Sequence, residues 1–200
     1  GQVSWRDGGR EPVDLLAEAT GRAAQDAGTT ALLGKLDAID VVGLLSWRYR
    51  DPGALLAERL GITVRRTGYT GAGGNSPQAL VNRAAADIAA GRADAVLIGG
   101  AEAWRTRTKL RARGEKPAWT RQDETVPAAD VVAPDVPMVT EGQQRIGLDR
   151  PAYVYPLFEQ AIRVAAGRPV AEHRQRIAAL WSRFSEVAAT NPYAWLPRAH

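Results

Sequence analysis

An α/β fold built on parallel strands is predicted by the first hundred residues of this chain. Short apolar runs bounded by glycine alternate with amphipathic helical stretches. The run at 39–45, rich in Ile, Val and Leu, reads as a strand covered on both faces. A Ser-Pro pair at 76–77 opens a helix directly after a glycine-rich turn.

Each element follows from local chemistry. Residues 12–27 read as a helix: Val13, Leu16, Ala17, Thr20, Ala24 and Ala27 recur at helical spacing, Pro12 suits the first turn, and Gly28 can close the end. A short helix at 52–60 stops at Gly61. Residues 62–67 read as a second strand, with Ile62 and Val64 alternating against Thr63, Arg65 and Thr67. Ser76 is the expected N-cap of the next helix, which runs to about Ala90 with Leu80, Val81, Ala84, Ala85 and Ile88 as its apolar stripe and ends at Gly91. Residues 93–98 form a third buried strand, closed by Gly99 and Gly100.

The character changes after Ala101. Residues 104–113 read as a strongly basic helix, and 120–151, rich in Pro, Asp and Val, shows no periodicity. Two helices follow, at about 154–166 with Leu157, Ala161, Ile162 and Ala165 inward, and at about 170–189 with Ile177, Leu180, Phe184, Val187 and Ala188 as its apolar face. The expected division is therefore an α/β domain at 1–103 and a second part at 104–200.

Composition narrows the chemistry. Two hundred residues can bury one sizeable core. No run is long enough to span a bilayer, and no leader pattern opens the chain, so a cytoplasmic protein with no membrane contact is expected. There is no cysteine, hence no disulfide, thiolate metal site or thiol catalysis. The net charge is +4, and only three of the 26 basic residues, Lys35, Lys109 and Lys116, are lysines. That arginine excess reads either as codon bias or as provision for an anionic ligand. Nucleic acid is not expected, because the arginines are scattered among acids. No metal-ligand spacing stands out, and His173 and His200 read as incidental exposed histidines.

The turn Gly71-Ala72-Gly73-Gly74-Asn75-Ser76 is the candidate site. A helix N-terminus behind it offers free N–H groups to a phosphate or an oxyanion. The alternative is a tight turn that needs positive φ. There is no Gly-Lys-Ser/Thr, no third glycine of a dinucleotide fingerprint, and no G-x-S-x-G around Ser76.

The stretch Gly73-Gly74-Asn75-Ser76-Pro77-Gln78-Ala79-Leu80, followed by a helix and then Gly99-Gly100-Ala101-Glu102, resembles the thiolase sequence C-A-S-G-x-Q-A-L, helix, strand, G-G-x-E. Asn191-Pro192-Tyr193-Ala194 is similar to an N-P-x-A stretch of sterol-carrier-type thiolases. The resemblance covers roughly 12–104 well and 151–195 more loosely. It is nearest to cysteine-less actinobacterial thiolase-like proteins labelled acetyl-CoA acetyltransferase. It implies a thiolase-like half, an α/β/α arrangement with a mixed sheet, carrying a helical loop-domain insertion.

In that register Gly73 stands where the acyl-accepting cysteine would be, so no catalytic residue is expected there. The resemblance leaves Gly73, Gly74, Asn75 and Ser76 as substrate-binding candidates and Arg105, Arg107 and Lys109 as candidates for coenzyme A phosphates. Coenzyme A thioester is the implied ligand or substrate, with no other cofactor. The motifs that supply a thiolase's catalytic histidines and second cysteine are not found in these residues. The family's first strand would precede Gly1, so part of a longer protein, or pairing with another chain, is expected. A homodimer is implied, with the 62–67 strand pairing across its axis. Three functions remain open: an acyl-CoA-binding protein, a thiolase-fold aldolase acting on steroid side-chain CoA esters with a partner, and a non-catalytic structural subunit.

Overall fold

The computed structural model describes residues 1–5, 8–135, 137–196 and 198–199. It forms two compact units, Gly1–Val136 and Pro137–His200. His200 lies outside the described residues.

The first unit is an α/β sandwich. Its strands are β1 (Ala38–Val41), β2 (Arg66–Thr70), β3 (Val96–Gly99) and β4 (Asp130–Val132). They form one sheet in the order β3-β1-β2-β4, and every described pairing is parallel. Its helices are α1 (Pro12–Asp26), α2 (Pro52–Leu60), α3 (Ser76–Ala89) and α4 (Trp104–Ala112).

Alternation along β1 sets the layers. Ile39 and Val41 point to one face, where they meet Val13 and Leu16 of α1, Leu55, Leu56 and Ala57 of α2, and Tyr49. Asp40, one residue out of step, is fully buried on the opposite face. There Arg66 donates to it at 2.8 Å and also reaches Asp87 of α3. Gly68 lies beside Asp40 in register, and a Cβ there would stand 2.3 Å from the Asp40 carboxylate. The buried charge thus has its own slot in the sheet.

Helix limits largely follow the capping residues. Asp51 accepts from the Ala54 N–H, Pro52 follows it, and Gly61 closes α2 in the left-handed region at φ 65°. Gly91, at φ 67°, lies just beyond the end of α3. At the start of α3 the expected cap moves by one position: Asn75 is the N-cap residue, without a side-chain cap bond, and Ser76 is the first helical residue. Of the α3 stripe, Leu80 and Ala84 are buried, whereas Val81 and Ile88 are exposed.

The strands differ from expectation at their ends. β1 stops at Val41, because the backbone at Gly43 turns too close to Thr70 and Gly71 for a strand to continue; a Cβ on Gly43 would lie 2.7 Å from the Thr70 carbonyl. The strand expected at 62–67 is shifted to β2. Ile62 and Val64 instead pack against the core beside it. β3 is half-buried rather than buried, as befits an edge in this sheet. β4 falls within the stretch read as irregular, and it covers the outer edge of β2, which the resemblance would give to a partner's strand. The segment 104–135 belongs to this first compact unit, held in part by the buried Trp119.

The second unit contains α5 (Glu141–Arg145), α6 (Pro151–Ala165) and α7 (Val170–Ala189). Thr140 and Gln143 close a capping box on α5, within the stretch expected to be irregular. The faces expected to turn inward do not: Leu157, Ile162, Leu180, Phe184 and Val187 are all more than half exposed. His173, by contrast, is buried. Its Nε2 lies 2.8 Å from a Glu159 carboxylate oxygen, off the line of a good hydrogen bond, and Nδ1 has no partner among the described residues.

Candidate functional site

The carboxyl ends of β1 and β2 open onto an arginine-rich cleft, the usual location of a ligand site in an open α/β sheet. Its floor is assembled by two loops that satisfy each other's backbone.

After β1, five successive N–H groups find acceptors. Val42 donates to the Gly99 carbonyl at 2.9 Å. Gly43 donates to the Thr70 hydroxyl at 2.8 Å and Leu44 to the Tyr69 hydroxyl oxygen at 3.1 Å. Leu45 and Ser46 both donate to the Glu102 carboxylate, at 2.5 and 2.8 Å. The buried Ser46 hydroxyl then accepts from the Ala103 N–H at 2.9 Å. The Gly99-Gly100-Ala101-Glu102 motif therefore shapes the β1 loop, and Glu102 serves as its acceptor.

After β2, the glycine-rich turn takes an ordinary backbone conformation. None of Gly71, Gly73 and Gly74 has positive φ, so the reading of a turn forced into the left-handed region does not hold. Gly71 has a different reason to lack a side chain. A Cβ on it would lie 2.4 Å from the Asp135 nitrogen, because the segment after β4 crosses this point. Gly71 donates to the Ala133 carbonyl at 2.9 Å, and Ala72 donates to Asp135 Oδ1 at 2.6 Å. Ser76, buried below the turn, braces it: its hydroxyl donates to the Gly71 carbonyl at 3.0 Å and its N–H to the Gly73 carbonyl at 3.1 Å. Among the described residues, the N–H groups of Gly73, Gly74 and Asn75 have no partner.

The cleft has a volume of about 910 Å³. Gly71 and Ala72 form part of its wall, together with Leu44, Trp47 and Tyr69. Four arginines, Arg48, Arg50, Arg107 and Arg121, line it, opposed by Asp123, Glu124 and Asp135. Arg121 lies over the Trp47 ring, 5.7 Å from its centroid, and Trp47 meets Trp119 edge to face at 5.3 Å. Burial, above all, pushes the Tyr69 phenol above its ordinary pKa, and the charges of Glu102 and Asp135 add to the rise.

Of the candidates chosen from sequence, Arg107 lines this cleft. Its guanidinium donates to the Leu45 and Ser46 carbonyls at 3.0 and 3.3 Å, and it lies 5.3 Å from the Trp104 ring centroid. Arg105 and Lys109, on the same helix, do not line it, nor do Gly73, Gly74, Asn75 and Ser76. Sequence reasoning missed Arg48, Arg121, Tyr69 and Asp135. Glu102 was visible in its motif without a role. Asp135 carries no local signal, since the turn it touches is 63 residues earlier.

A second hub joins the cleft residue Tyr49 to α1, α2 and the segment after α4. Glu11, just before α1, is buried and accepts from the Tyr49 hydroxyl at 3.0 Å, Arg59 at 2.9 Å, and the Thr120 N–H and hydroxyl, both at 2.8 Å. Burial alone would raise its pKa. The Thr120, Tyr49 and Arg59 donors outweigh burial and hold it below its ordinary value. Among the described residues no group of three His, Cys, Asp or Glu is placed to hold a metal ion. No helix among them is long and apolar enough to cross a membrane.

No family profile and no curated protein matches the sequence. Among solved structures, the chain is similar to the crystal structure of a monomeric SCP2-thiolase like protein type 1 from Mycobacterium smegmatis. The TM-score is 0.72 at 27% identity. The match covers 100% of this chain and 36% of that one, so the chain spans about a third of its neighbour's length. The fold is thiolase-like. On it, the β2 turn carries glycine at position 73, and the cleft beside that turn holds arginines, a tyrosine and a carboxylate.

Proposed function

We propose that this chain forms the acyl-thioester-binding part of a thiolase-like protein that works without an acyl-cysteine intermediate. The observation that carries this is the cleft itself. It opens at the carboxyl ends of parallel strands, beside a turn in which residue 73 is glycine, on a fold that matches, over the whole of this chain, 36% of an SCP2-thiolase-like protein. Its size suits a coenzyme A thioester, and Arg48, Arg107 and Arg121 offer guanidinium donors to phosphate groups. With no cysteine in the chain, no acyl group can be transferred to a thiol within it.

The nearer likeness to acetyl-CoA acetyltransferase-type proteins, and a place in lipid metabolism, belong to the same proposal. The aldolase reading is favoured by one observation, the Asp135 carboxylate in the cleft wall. If the protein assembles as a homodimer or with a second chain, it uses a surface other than the β2 edge, which β4 already covers. Calorimetry on the full protein with CoA, acetyl-CoA and longer acyl-CoAs tests the binding. Binding is expected, and none at millimolar ligand would overturn it. Acetoacetyl-CoA cleavage by the same protein should show no turnover by an acyl-cysteine route, so no acyl-enzyme should be trapped.

A further inference from the structure

The turn lacks a thiol, but one side chain capable of proton transfer reaches it from elsewhere in the fold. Asp135 lines the cleft, and its Oδ1 is held by the Ala72 N–H at 2.6 Å. Its backbone approaches so closely that only glycine fits at position 71. Among the described residues Asp135 Oδ2 has no hydrogen-bond partner. One carboxylate oxygen is thus anchored while the other stays free for chemistry. Tyr69 lines the same cleft; its oxygen accepts from the Leu44 N–H, which leaves its own hydrogen available to a ligand oxygen.

We propose that Asp135 is the general base of this cleft, removing an α-hydrogen from a bound acyl thioester whose carbonyl oxygen accepts from the Tyr69 hydroxyl. The substrate class is an acyl-CoA with at least one hydrogen on the carbon next to the thioester. In the step, the Cα–H bond breaks and its proton passes to the Asp135 carboxylate. The bonding pair becomes the C=C bond of an enolate, with the negative charge on the oxygen facing Tyr69. The reverse step returns a proton to Cα, so electrons balance and no oxidant or further reactant is needed. Burial keeps the phenol protonated and therefore a donor, which supports the assignment. The inference rests on the acyl-thioester reading of the cleft.

The test is hydrogen exchange at Cα in deuterated water, followed by NMR on acetyl-CoA and acetoacetyl-CoA with the full protein. The wild type is expected to exchange the α-hydrogens faster than buffer alone. Asp135→Asn keeps an oxygen for the Ala72 N–H but is no longer a base. It should slow exchange roughly 100-fold or more while the Kd from calorimetry changes less than about threefold. Exchange that is undiminished in Asp135→Asn would overturn the role of Asp135, as would a wild type that binds thioesters but does not exchange them. Both results would leave the binding reading intact. A wild type that binds no thioester would overturn both.

Discussion

Gly71 and Gly73 stand two positions apart in one turn and are constrained in different ways. At Gly71 a side chain would strike the Asp135 backbone, which can yield only by moving the segment that carries it. Gly71→Ala should therefore destabilise the first unit by about 1–3 kcal/mol and displace the segment after β4, read as a lower Tm. At Gly73 the nearest obstacle is the end of the Asn75 side chain at 2.8 Å, and φ is ordinary. Gly73→Ala should cost less than about 1 kcal/mol, because Asn75 can rotate away. Equal losses of Tm for the two variants would contradict this account.

Glu11 gives a residue-scale prediction in pH. Its folded pKa lies below the ordinary 4.5, so the stability it contributes is fully present above about pH 4.5 and is lost as pH falls through the folded value. Glu11→Gln should be less stable than the wild type at pH 7, on the order of 3 kcal/mol, since Arg59 and the Thr120 donors lose their charged acceptor. The gap should narrow below pH 4. A gap that is constant from pH 7 to pH 3 would show that the carboxylate charge is not what matters there.

Among the elements, the loop after β1 depends on side chains from β2 and from the segment after β3. Thr70→Val removes the acceptor of the Gly43 N–H while keeping the shape of the side chain. A loss of about 1–3 kcal/mol is expected, with faster exchange at the Gly43 amide as its signature. Unchanged exchange there would mean that another acceptor takes over.

The elements also show what could be read in advance. α1, α2 and α3 were legible because their signals are local: Pro12 with Gly28, the helical run from Pro52 with Gly61, and Pro77 with Gly91. β4 was not, since three residues on an exposed edge carry no period and their partner lies some sixty residues earlier. The apolar stripes of α6 and α7 were real, but periodicity reports that a face is apolar and not that this chain buries it. His173 shows the converse: a polar residue on a helix, buried in the second unit beside Glu159.

At the scale of the molecule, a thiolase-like sheet carries a glycine-rich turn after β2, a Gly-Gly-Ala-Glu clasp on the β1 loop and a large cleft, and the chain contains no cysteine. The turn and the clasp were visible as motifs. The cleft was not, because Arg48, Arg107, Arg121 and Asp135 come together only through the parallel crossovers and the segment after β4. The central claim is that this arginine-lined cleft holds an acyl-CoA. Calorimetry of the full protein against its Arg48→Ala/Arg121→Ala variant, titrated with acetyl-CoA at two salt concentrations, tests it most directly. Wild-type binding that weakens with salt, and at least a tenfold loss in the variant with an unchanged Tm, is the predicted result. Equal affinities for the two proteins, or no binding by either, would contradict it.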